Sequence, residues 1–118
     1  MTINYDNRSF RSIGNSENGE AGHETLFHYH QEGSVVWGEY AGGQVLRGQL
    51  IAHRSIDGSL DMRYQHVNRD GKLMTGMCRS SPEILPDGRL RLIEKWQWTS
   101  GDRTKGESVL EEVTERPL

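Results

Sequence analysis

Cysteine is almost absent. Cys78 stands alone among 118 residues, so no internal disulfide can staple the chain, and a reducing compartment, the cytoplasm, is the expectation. Proline is nearly as scarce, at three, which excludes polyproline segments. No apolar run approaches the ~18–20 residues of a membrane-spanning helix, and no charged-then-apolar start marks a secretory signal. An excess of one charge is also missing: 14 Lys and Arg oppose 17 Asp and Glu, mixed along the chain, for a net charge of −3. A face that tracks nucleic-acid phosphates needs more positive charge than this. The expected partners therefore include neither nucleic acid nor membrane.

Catalytic signatures are missing too. There is no Gly-x-Ser-x-Gly elbow, no phosphate-cradling Walker loop and no dinucleotide fingerprint. The nearest approach to an acetyl-CoA pyrophosphate loop is Arg103-Thr104-Lys105-Gly106-Glu107-Ser108. It ends in serine, where such a loop at a helix N-terminus has glycine or alanine. His28-Tyr29-His30 puts two histidines on one strand face, as a metal site would need. With Gly22 it imitates the start of a cupin motif, but Ser34 and Val35 occupy the place of the next ligand, a glutamate. Neither a metal nor another cofactor is expected.

What the chain has in quantity is glycine, 14 residues, placed in turns. Gln31-Glu32-Gly33, Gly42-Gly43, Asp57-Gly58, Asp70-Gly71, Asp87-Gly88 and Ser100-Gly101 punctuate segments that alternate in polarity, such as Leu60-Asp61-Met62-Arg63-Tyr64-Gln65-His66. Period two with turn glycines is the signature of hairpins. Eight strands follow, near 8–16, 22–31, 34–41, 44–54, 59–68, 72–82, 89–99 and 106–114. The last of them, over 107–115, reads equally as a short helix. Short connections make consecutive strands antiparallel neighbours. The fold expected is all-β: one domain over 1–118, an eight-stranded antiparallel up-and-down (meander) β-barrel, calycin-like, with loose ends at 1–7 and 115–118. A two-sheet sandwich is the alternative.

Glycine third in a three-residue loop predicts a type I turn closed by a G1 bulge. That rule sets His30 opposite Ser34, Ser55 opposite Ser59, Asn68 opposite Lys72 and Leu85 opposite Arg89, while a two-residue Gly42-Gly43 loop sets Ala41 opposite Gln44. One face then collects Phe27, Tyr29, Val35, Trp37, Leu46, Gly48, Leu50, Leu60, Met62, Tyr64, His66, Met74, Gly76, Cys78, Leu92, Trp96 and Trp98. The other holds Arg47, Asp61, Arg63, Arg79 and Lys95. Trp37 falls opposite Gly48 and Trp98 opposite Gly76.

Small beside large fills a barrel of this size, or leaves room at one mouth. The predicted ligand site is Trp37, Tyr64, His66, Met74 and Trp98, with Tyr29 at the margin: aromatic walls with a few orienting polar groups. Glu94 is an inward carboxyl and needs partners; Ser80 beside it and Arg54 in the same layer form the expected buried network. Cys78 reads as a small core residue.

Several segments carry a family resemblance: Asn15-Ser16-Glu17-Asn18-Gly19-Glu20, Tyr40-Ala41-Gly42-Gly43, Tyr64-Gln65-His66-Val67-Asn68 and Glu94-Lys95-Trp96-Gln97-Trp98-Thr99-Ser100-Gly101-Asp102. The chain resembles a family of small bacterial proteins often labelled N-acetylglutamate synthase. That resemblance implies acetyl transfer to glutamate and assigns no residues to it. In its meander plan and its Thr99-Ser100-Gly101 ending of a tryptophan-rich strand, the chain is also similar to avidin-type and lipocalin-type barrels. Three functions stand open: a small-molecule-binding barrel without catalysis; an enzyme, either the acetyltransferase that the label implies or a cupin-like metal enzyme; and a structural or interaction module with a filled core.

Overall fold

The computed structural model describes residues 3–113. Its strands are β1 (Arg8–Asn15), β2 (Leu26–Glu32), β3 (Val35–Gly42), β4 (Val45–Arg54), β5 (Leu60–Asn68), β6 (Leu73–Ile84), β7 (Leu90–Trp98) and β8 (Lys105–Glu112). Each pairs antiparallel with the next, and β8 closes onto β1, giving the expected eight-stranded barrel with no free edge. The ambiguous last segment is a strand. Among the described residues no helix is long and apolar enough to cross a membrane.

Three hairpins adopt the predicted turn. Gly58, Gly71 and Gly88 take φ of 90°, 77° and 91°. Each donates its N–H back to the third residue before it, as in Gly71 to Asn68 at 2.9 Å. The resulting registers set Gly48 against His66, Tyr64 against Gly76, and both Gly76 against Trp98 and Ser80 against Glu94.

The other two turns differ from expectation, and together they turn β3 over. Gly33 (φ 59°) opens a two-residue loop, so Glu32 faces Val35 and Tyr29 faces Gly38. At the far end Gly42 pairs with Val45, and a bulge beyond Tyr40 brings Tyr40 opposite Gly48. Each shift reverses the parity of a strand pair. The two cancel everywhere except on β3. Val36, Gly38 and Tyr40 therefore point inward, while Val35 and Trp37 lie on the outer wall. A second bulge, between Val45 and Arg47, buries Val45 and leaves Leu46 half exposed instead of inside.

The interior has one tightly packed end. Tyr5, Phe10, Leu60, Leu92 and Leu110 are fully buried there, and the buried Tyr29, its ring against Tyr5 and Phe10, lies at the inner limit of this packing. Residues 3–7 are not loose, as the sequence suggested. Tyr5 inserts its ring, its hydroxyl donates to Gly58 O at 2.6 Å, and its N–H donates to Gln31 Oε1 at 2.7 Å. Residues 115–118, also expected to be loose, fall outside the described segment.

Candidate functional site

The opposite end is covered by the chain between β1 and β2, residues 16–25. β2 begins at Leu26 rather than near 22, so this connection is longer than the hairpin loops. It folds across the mouth and is tied to the tryptophan-rich end of β7. Trp96 Nε1–H donates to Asn15 Oδ1 and Trp98 Nε1–H to Asn18 O, both at 3.0 Å. Asn15 Nδ2 donates to Ala21 O at 2.8 Å, and Asn18 Nδ2 to Lys105 O at 2.8 Å.

A polar chain ties the loop to the barrel wall. His66, 3% exposed, has Glu20 Oε1 2.8 Å from Nε2 and the Tyr40 hydroxyl 2.8 Å from Nδ1. A carboxylate can only accept, so the partners assign the proton to Nε2 and leave Nδ1 to accept from Tyr40 O–H. Asn68 Nδ2 supports the other oxygen of Glu20 at 3.1 Å. Every polar atom of the histidine is thus used. Glu20, Asn15, Asn18 and Tyr40 were not among the sequence-predicted site residues. The signal available for them was a long polar connection among short hairpins, since such loops carry function more often than turns do.

Beneath the loop lies a cavity of about 50 Å³, room for a few water-sized groups. Its walls include Phe27, Tyr40, Trp96 and Trp98, and its deep end reaches Glu94 and Ser108. Of the predicted site residues, Tyr29, Tyr64, His66 and Trp98 line it together. Met74, partly buried opposite His66, packs against the core without reaching the cavity. Trp37 is on the outer face, 38% exposed, with its ring stacked on His30. The small-beside-large pairs are occupied differently from expectation. The Tyr40 ring covers Gly48, and Tyr64, rather than empty space, covers Gly76. A Cβ at either glycine would overlap those rings.

Glu94 is inward and buried, as expected, but its network is not the expected one. Ser108 Oγ donates to Oε1 at 3.1 Å. Ser80 faces Glu94 across the register, near enough for its hydroxyl to donate to the carboxyl on rotation. Arg54 does not pair with Glu94. Its Nη1 donates to Ile3 O at 2.7 Å, and its Nε is buried without a partner. Arg54, Leu60, Ser80 and Glu94 do form one hydrogen-bonded row. Strands in a barrel tilt, however, so such a row climbs the wall and its ends sit at different heights. Burial pushes the Glu94 carboxyl up to about 7, opposed by hydrogen bonding from Ser108, Ser80 and Cys78. Burial, and then the Glu94 charge, push the Cys78 thiol far above the usual range, the opposite of what an activated nucleophile needs. His28 and His30 face outward, bonded to Ser9 Oγ at 2.8 Å and Glu39 Oε1 at 2.7 Å.

A closed meander barrel with one packed end and a loop-covered, aromatic cavity at the other defines a calycin-type barrel. More narrowly, a family model described as "Avidin-like protein" matches residues 3–113, and the chain belongs to that family. No curated protein and no solved structure matches the chain significantly. The N-acetylglutamate synthase label receives no support from the family match.

Proposed function

We propose that this protein binds a small molecule in the cavity beneath the β1–β2 connection, without catalysing its conversion. The observation that carries the reading is the cavity itself. Aromatic walls converge with a few buried polar groups under a loop held by side-chain hydrogen bonds rather than by strand pairing. A concave apolar site with sparse orienting polar groups is how small ligands are held. Membership in an avidin-like family supports the same reading. Tyr64, His66 and Trp98 serve as wall and rim, Tyr29 as part of the interior, and Glu94 as the deep polar contact. Entry requires the loop to lift, which breaks its bonds to Asn15, His66, Asn68, Trp98 and Lys105, each worth roughly 1 kcal/mol.

The test is a tryptophan fluorescence titration against a metabolite panel that includes biotin, using Trp37→Phe so that the signal comes from Trp96 and Trp98. A saturable change that weakens in Tyr64→Phe or His66→Ala supports the site. A ligand whose affinity is indifferent to both places binding elsewhere, and a panel without any binder favours the filled-core module. One observation speaks for that module. Trp37 and Ile51, directly opposite each other on the outer wall, are 38% and 58% exposed. Sedimentation of Ile51→Lys against the parent reports whether the wall pairs with anything.

A further inference from the structure

The polar chemistry of the cavity is one-sided. Its lining carries two carboxylates, Glu20 at the rim and Glu94 in the depth, and no lysine or arginine. Glu20 is already engaged by His66 and Asn68. Glu94 is not so supplied: it is 7% exposed, and among the described residues no cationic side chain forms an ion pair with it. Ser108 donates to one oxygen, and the Ser80 hydroxyl and Cys78 thiol lie near enough to donate as well, but none of the three brings a positive charge to balance a carboxylate. In the same cavity the Tyr29 hydroxyl is buried, belongs to a residue of 0% exposure, and has no partner. A buried hydroxyl without a partner costs free energy, and so does a buried carboxylate without a counter-charge; the two lining one space point to something that fills it.

The rest of the wall narrows what that is. Trp96 and Trp98 lie with ring centroids 5.4 Å apart, and Tyr64 meets Trp98 edge-on at 5.9 Å. Aromatic rings attract a cation to their faces and offer an anion nothing comparable. A carboxylate without a counter-charge, surrounded by aromatic rings and entered past a second carboxylate, disfavours anions at every point. A neutral ligand would leave the Glu94 charge uncompensated. His66 does not compete for Glu94, because both its nitrogens are committed to Tyr40 and Glu20.

Resting on the reading of this cavity as a ligand site, we infer that its ligand is a compact organic cation bearing N–H donors, an amidinium, guanidinium or primary ammonium group. Glu94 is the counter-charge, and the Tyr29 hydroxyl accepts a further N–H bond. The volume of about 50 Å³ admits the cationic head group and little more, so any larger body must extend past the displaced loop.

Acetamidinium and acetamide test this as a pair, since they match in shape and differ in charge. Each is titrated at pH 8 into the Trp37→Phe protein with tryptophan fluorescence as the readout. Acetamidinium should bind saturably in the millimolar range, and acetamide at least ten-fold more weakly. Glu94→Gln should lose at least ten-fold for acetamidinium and nothing for acetamide, with circular dichroism showing an intact barrel. Glu20→Gln, run in parallel, should keep the preference while the loop opens more readily. If Glu94→Gln does not fold, Glu94→Asp must weaken acetamidinium selectively, because the shorter carboxylate withdraws from the head group. Equal binding of the two probes overturns the cation assignment and leaves a small-molecule site standing. Acetamidinium binding that Glu94→Gln does not alter also overturns it. So does the absence of saturable acetamidinium binding in both the parent and Glu20→Gln. The small-molecule reading itself falls only if the metabolite panel fails as well.

Discussion

Replacing Glu94 by glutamine should stabilise the barrel at alkaline pH and leave it almost unchanged at acid pH. A free glutamate titrates near 4.5, whereas burial holds Glu94 up at about 7 in the folded chain. Below 4.5 both states carry the proton, and the residue adds no pH dependence. Between 4.5 and 7 the folded state binds more protons than the unfolded state, so stability falls as pH rises. Above about 7 the loss is complete. The gap between the two values, at about 1.4 kcal/mol per pH unit, comes to roughly 3 kcal/mol. Glutamine keeps a carbonyl oxygen to accept from Ser108 and removes the buried charge. Glu94→Gln should therefore exceed the parent by up to about 3 kcal/mol at pH 8.5 and match it near pH 4.5. The assay is urea unfolding of both proteins at half-unit pH steps, read by far-UV circular dichroism. Every other ionisable group is common to both proteins and cancels in the difference. Parallel stability curves across the whole range would refute the buried-charge argument. The same cost is what a cationic ligand would offset, so saturating acetamidinium should raise the parent curve most at high pH.

Gly76→Ala should destabilise by about 1–3 kcal/mol, because the new methyl group meets the Tyr64 ring and overpacking of this kind forces side chains off their rotamers; the unfolding midpoint checks it, and pairing the change with Tyr64→Leu should restore most of the loss. Tyr5→Phe should cost about 1–3 kcal/mol by leaving the buried Gly58 carbonyl without its donor; an unchanged midpoint would mean the N-terminal segment does not hold that end shut. Acrylamide should quench Trp37 far more than Trp96 or Trp98, so Trp37→Phe should remove most of the quenchable emission. Trp98→Phe should speed amide exchange in residues 16–25 by severing the bond to Asn18 O, with β4–β6 unaffected.

The strand count, the meander order and the closure were legible in the sequence because they rest on local chemistry. Asp-Gly at 57–58, 70–71 and 87–88 admits one common turn geometry, and that geometry fixes the pairing of β4 through β7 without reference to anything distant. From that pairing came the inward placement of Tyr64, His66, Trp98 and Glu94. β3 was not legible, because Val35-Val36-Trp37-Gly38-Glu39-Tyr40 has large apolar residues on both parities, and Gln31-Glu32-Gly33-Ser34 fits a two-residue loop as well as a three-residue one. Only the packed interior decided it. Tyr40 stacks on Phe27 at 4.8 Å and reaches His66, a better use of space than Trp37, which went to the wall. The pairing of Glu94 depended on strand tilt, a property of the closed barrel that no single hairpin contains. The covering loop depended on the tertiary structure entirely. Its anchors, Asn15, Asn18 and Glu20, bond to side chains 81, 80 and 46 positions away in the chain, and contacts at that separation exist only once the barrel has brought β1, β5 and β7 to one rim.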